Sequence, residues 1–76
     1  MKELMKYIAQ AMVDDPTKVE VEEIEGHHSY VLKLKVAKAD LGKVIGKMGN
    51  TVQAMRLILN AVAAKAKKRA VLEIVE

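Results

Sequence analysis

Leu41-Gly42-Lys43-Val44-Ile45-Gly46-Lys47-Met48-Gly49-Asn50-Thr51 is the stretch that decides how this 76-residue chain is read. Gly46 and Gly49 bracket two residues between a short apolar run and a long helical pattern. Glycine opens backbone angles closed to other residues and removes the side chains that would hold a ligand at a distance. The N–H groups at the start of the next helix have no intrahelical acceptor, and with the positive end of the helix dipole they suit a phosphate. Lys47 adds a full charge inside the bracket. Other glycine motifs fit badly. A P-loop needs four residues between its glycines and a hydroxyl after the lysine, whereas Gly42 and Gly46 enclose three and Met48 follows Lys47. The dinucleotide fingerprint needs its first two glycines closer together. The plainer reading, a tight helix–helix turn and nothing more, is weakened by Ile45 before the loop and Thr51 after it.

Downstream, Asn50 is expected to cap a helix from Thr51 to about Lys68. Its core stripe would be Val52, Met55, Ile58 or Leu59, Val62 and Ala66, and its polar stripe Gln53, Arg56, Asn60 and Lys67. Residues 70–75 read as a strand with Ala70, Leu72 and Ile74 inward. Upstream, Asp40 is the expected N-cap of a short helix, Leu41 to Ile45. Tyr30, Leu32, Leu34 and Val36 alternate with Lys33 and Lys35, the clearest strand in the chain. Gly26-His27-His28-Ser29 is a turn. Residues 18–25 form the preceding strand, in which Ile24 breaks the alternation of Val19 and Val21 and suggests a bulge near Glu22-Glu23. Residues 2–13 read as a helix with Leu4, Ile8, Ala11 and Met12 on one face, widened by Met5 and Tyr7. Asp14-Asp15-Pro16 ends it. The order α-β-β-α-α-β predicts an α+β domain: a three-stranded mixed sheet with helices on one face. The two-helix connection is long enough for a right-handed parallel crossover, placing the last strand beside Tyr30–Val36.

Composition narrows the function. The chain is 51% hydrophobic and 30% charged, a globular balance, and its core must be aliphatic because it has two Tyr and no Phe or Trp. There is no cysteine, hence no disulfide or thiolate metal site. The early Glu3 argues against a signal peptide, no apolar run approaches a membrane span, and a cytoplasmic location is the expectation. The net charge of +3 conceals an asymmetry: residues 1–38 carry six Lys against seven acids, residues 39–76 seven Lys or Arg against three. Between Leu41 and Arg69 there are seven cations and no carboxylate. Such a segment favours a polyanion, although Lys65, Lys67, Lys68 and Arg69 also suit a solvated helix C-terminus.

Val44-Ile45-Gly46-Lys47-Met48-Gly49-Asn50-Thr51 resembles the Ile-Gly-x-x-Gly signature of KH domains, which clamp four nucleotides through that loop. The resemblance covers about 45 residues, from Tyr30 on. The leading helix and strand match the prokaryotic (type II) arrangement, giving a single domain over 1–76: an N-terminal helix and strand within 2–25, and a KH core from about 29 to 76. In length and order the chain is similar to the KhpA family of small bacterial single-KH proteins. That resemblance implies a cytoplasmic single-stranded RNA-binding protein or RNA chaperone. It further implies homodimers, or heterodimers with a KhpB (Jag)-type KH protein, and effects on cell shape and division. Carried over, Gly46, Lys47, Met48, Gly49 and Asn50 would hold the RNA backbone. Val44 and Ile45 would supply apolar floor, unless they are plain core, and Lys43 and Arg56 would add charge at the rim. No aromatic lies in the segment, so base stacking is not on offer and sequence selectivity should be modest.

Leu57, Ala61 and Ala64 broaden the apolar arc of the long helix beyond what one sheet needs. Either a second chain or the N-terminal helix is expected to cover them. His27 and His28 lack a third ligand and read as solvated turn residues rather than a metal site. No nucleophile–base pair is suggested, so neither catalysis nor a cofactor is expected. The alternatives to RNA binding are a protein–protein adaptor that uses the fold as a dimerisation scaffold, and a binder of small phosphate compounds.

Overall fold

The computed structural model describes residues 1–75. Its elements are α1 (Lys2–Met12), β1 (Glu20–Glu25), β2 (Ser29–Lys35), α2 (Leu41–Ile45), α3 (Asn50–Lys65) and β3 (Arg69–Val75). The order is the expected α-β-β-α-α-β. β2 lies in the middle of the sheet, antiparallel to β1 and parallel to β3. The hairpin closes with the Gly26 N–H donating to the Ser29 carbonyl at 2.7 Å.

Alternation assigns the two faces of the sheet. Val21, Leu32, Leu34, Ala70 and Leu72 point under the helices and are buried. They meet Met5 and Ala9 of α1, Val44 of α2, and Val52, Met55, Leu59 and Ala63 of α3 in one aliphatic core. Full burial of side chains such as Leu32 and Leu34 contributes about 1.5–3 kcal/mol each.

Several expectations are corrected. β1 has no bulge: its pairing with β2 is continuous from Glu20–Lys35 to Glu25–Tyr30. Ile24 breaks the alternation because it belongs to the open face, in a row with Val31 and Val71. On α1 the buried stripe is Met5, Ile8, Ala9 and Met12, while Leu4, Tyr7 and Ala11 lie outside it. On α3 the stripe runs 52, 55, 59, 63, so Ile58, Val62 and Ala66 are exposed. α3 also stops at Lys65, and Lys67 adopts a left-handed conformation (φ 57°). There the Lys68 N–H donates to Ala63 O at 3.1 Å and the Lys67 N–H to Ala64 O at 3.0 Å, a Schellman stop that starts β3 one residue early.

Candidate nucleic-acid interface

The glycine loop is a single 3₁₀ turn, Lys47–Gly49, wedged between α2 and α3. Gly46 sits at φ 77°, ψ 171°, a region open essentially to glycine alone. A Cβ there would lie 2.6 Å from Thr51 Cβ and 2.8 Å from Thr51 N. Gly46 is therefore required by the close approach of α3's first turn. Gly49, also at φ 77°, has open space where its Cβ would be. Met48 is left-handed as well (φ 56°, ψ 27°) and is 90% exposed. An apolar side chain thus stands at the tip of a strained bend, in water. Lys47 is exposed between the two glycines. No side-chain oxygen caps α3; instead the Asn50 amide donates to the Lys47 carbonyl and the Gly49 amide to the Gly46 carbonyl at 3.1 Å. Asn50 is not the expected cap: it is the first helical residue, and Gly49 occupies the cap position. The tip of the loop faces outward, with Lys47 and Met48 in solvent.

The rest of the expected site divides. Ile45 is exposed beside the loop, whereas Val44 is 0% exposed and belongs to the core. Arg56 is half-buried, and its Nη2 donates to the Leu72 carbonyl at 3.3 Å. That bond ties α3 to β3, and because its acceptor is neutral the guanidinium keeps its full charge. Lys43 is ion-paired with Asp14 and lies 3.7 Å from Asp40. The hydrogen bond to Asp14 holds the Lys43 ammonium above its ordinary pKa.

Asp40 occupies the expected N-cap position of α2, but its side chain makes no capping bond there. Its carboxylate, 3% exposed as a residue, instead accepts the backbone N–H groups of Asp14 (3.3 Å) and Asp15 (3.2 Å). The short-range pattern read Asp14 and Asp15 only as a helix stop. Their amides, 26 and 25 residues from Asp40, tie the α1–β1 connection to the helix that leads into the loop. No local signal reports a bond of that span.

Leu57 (73% exposed), Ala61 and Ala64 remain uncovered, because α1 packs on β1, β2 and α2 and not over this face of α3. His27 and His28 are exposed with ring centroids 6.4 Å apart. Among the described residues no three His, Cys, Asp or Glu side chains are grouped to hold a metal ion.

Comparison with known proteins agrees with this geometry. Residues 2–74 match the family model described as KhpA/KhpB, KH domain. A protein of Caldanaerobacter subterraneus subsp. tengcongensis named RNA-binding protein KhpA is 55% identical over 99% of this chain and all of its own length. Proteins of the same name from Clostridium acetobutylicum (48% identical, 99% of this chain, all of the relative) and Aquifex aeolicus (47%, all of this chain, 96% of the relative) are similar. No solved structure matches the chain significantly. With the loop geometry, the order of elements and these end-to-end matches in accord, the chain belongs to the KhpA/KhpB KH-domain family.

Proposed function

We propose that this protein binds single-stranded RNA through the Gly46–Gly49 loop. The observation that carries the reading is the bend itself, which holds Lys47 and Met48 out in solvent between two glycines at φ 77°. The Lys47 ammonium suits the phosphates of a backbone that threads past the glycines without side chains to obstruct it. Ile45 and Met48 supply apolar surface beside them, and Asn50 a polar edge. Relatives named RNA-binding protein KhpA support the same reading. Lys43 is paired with Asp14, so Lys47 is the principal cation of the loop, with the Arg56 guanidinium further along α3. Acting in the cytoplasm as an RNA chaperone or post-transcriptional regulator, with consequences for cell shape and division, is the wider role this reading carries.

Gly49→Asp is the cleaner test, because Gly46→Asp would collide with Thr51. Aspartate tolerates the left-handed region better than most residues. We expect Gly49→Asp to lose at least about tenfold in affinity for a single-stranded RNA of about 16 nucleotides, with an unchanged circular dichroism spectrum. Wild-type affinity in that folded variant would refute the loop as the binding site.

The exposed face of α3 favours a second element of the reading, self-association. Ala54, Leu57, Ile58, Ala61 and Val62 leave this helix apolar on its outer side too, a pattern ordinarily found in buried helices. Small residues at 54, 61 and 64 let a second α3 approach closely. A second copy of the chain is the proposed occupant, and pairing would link two weak RNA sites so that avidity raises apparent affinity. Ala61→Glu should halve the sedimentation mass. An unchanged mass would remove this face as the contact, and a wild-type monomer that associates only with a KhpB-type protein would replace the homodimer with the heterodimer.

A further inference from the structure

The loop leaves unused a cluster of lysines that no segment of the sequence displays. Lys18 ends the Pro16–Lys18 turn, Lys35 ends β2, and Lys38 opens the turn before α2. All three line one surface cleft of about 390 Å³, together with Glu20, Val36 and Ala37. Each is exposed, and among the described residues none lies within 4.0 Å of a carboxylate. Glu20, the register partner of Lys35 across the hairpin, is the single acid in the lining. The second cleft, about 430 Å³ between Glu25, Gly26, His27 and Lys68, differs in kind: its lysine is already bound to Glu25 at 2.7 Å and stacked 4.5 Å over the Tyr30 ring.

We infer that the Lys18–Lys35–Lys38 cleft is a second phosphate site, occupied by the backbone of the same RNA strand outside the stretch held at the glycine loop. Three cations facing one concavity with one carboxylate among them concentrate field where a polyanion would lie. The buried Val36 and half-buried Ala37 form a firm wall, so the lysine stems are presented by folded backbone on either side of the hairpin's open end. Lys38 stands two residues before the buried Asp40 and three before α2, so the cleft and the loop are joined through one short, anchored segment. The glycine loop alone accommodates about four nucleotides. A longer strand gains the lysine cleft as well, and its affinity becomes more dependent on salt.

The inference rests on the RNA-binding reading, and the experiment separates the two. Lys18→Gln, Lys35→Gln and Lys38→Gln are combined, which keeps the stems and removes the charges. Binding of a four-nucleotide RNA and of one of about 16 nucleotides is measured against salt. The triple variant should bind the short RNA like wild type. It should lose on the order of tenfold for the long one, with a log–log salt slope shallower by about 2, since each single-strand phosphate contact contributes about 0.7. Equal affinity and slope for the long RNA in variant and wild type would overturn the second site while leaving the loop untouched. In a parallel titration with inorganic phosphate, the backbone amide resonances of Lys18, Ala37 and Lys38 should shift in wild type and in Gly49→Asp but not in the triple variant. Absence of those shifts in wild type would also count against the cleft. Loss of all RNA binding in Gly49→Asp with the phosphate shifts retained would keep the anion site and show the loop to be the stronger anchor.

Discussion

Gly46 and Gly49 share a φ of 77° but differ in what surrounds them, and substitution should separate them. At Gly46 a methyl group meets both the side chain and the backbone of Thr51, so Gly46→Ala should cost more than about 2 kcal/mol, combining strain with displacement of the α3 start. At Gly49 only the left-handed conformation is penalised, and Gly49→Ala should cost about 1 kcal/mol. Urea denaturation of the two variants measures the difference. Equal losses would mean that the Thr51 contact relaxes freely. Lys67 presents the converse case, a β-carbon held at φ 57° where helix stops favour glycine. Lys67→Gly should therefore stabilise by about 1 kcal/mol and raise the thermal midpoint by about 4–8 °C for a domain of this size.

Two long-range ties hold the elements in register. The Asp40 carboxylate joins α2 to the residues after α1, and Asp40→Ala should cost about 2–3 kcal/mol by removing two charge-assisted bonds from backbone amides. An unchanged denaturation midpoint would show that water replaces the carboxylate without loss. Lys68 joins the α3–β3 turn to β1 through Glu25, and that hydrogen bond raises its pKa above the ordinary 10.5. A lysine whose folded pKa is raised contributes stability that is complete below the unfolded value and lost as pH rises through the folded one. The thermal midpoint should therefore gain a downward component above pH 10.5, smaller in Lys68→Gln and in high salt, since Glu25 of the pair is exposed to solvent. An identical alkaline profile in the variant would assign the loss to other groups.

At the scale of the molecule, one sheet face is covered and the other is open. The covered face is aliphatic and closely packed, so Leu34→Ala or Leu59→Ala should cost about 2–5 kcal/mol in denaturant titrations. The open face carries the row Ile24–Val31–Val71 beside the charged row Glu22–Lys33–Glu73, which pairs an acid on either side of a central lysine. Opposite charges on neighbouring strands each add a fraction of a kcal/mol, and they keep an exposed sheet face polar along that row. The helix layer has its own asymmetry. α3 buries one stripe against β3 and α2 and leaves an apolar outer stripe, which is why assembly, rather than folding, is the property expected to respond to Ala61→Glu.

What the chain's local order determined was the succession of elements, the pairing of β1 with β2, the inward faces of β2 and β3, and the glycine loop. Each is encoded by neighbours two to four residues apart, the range over which strand alternation, helix periodicity and turn chemistry act. Tertiary structure decided the rest. Which of two adjacent apolar stripes on α1 and α3 turns inward depends on the sheet they meet, and so Ala63 displaced Val62 and Met5 displaced Leu4. Whether a charge is paired depends on partners far along the chain: Lys43 is taken by Asp14 and Lys68 by Glu25. Lys18, Lys35 and Lys38, scattered through a half of the sequence with a slight acidic excess, gather at one cleft only because the hairpin folds. Charge and apolar surface are shared in three dimensions, and a linear pattern does not carry that distance.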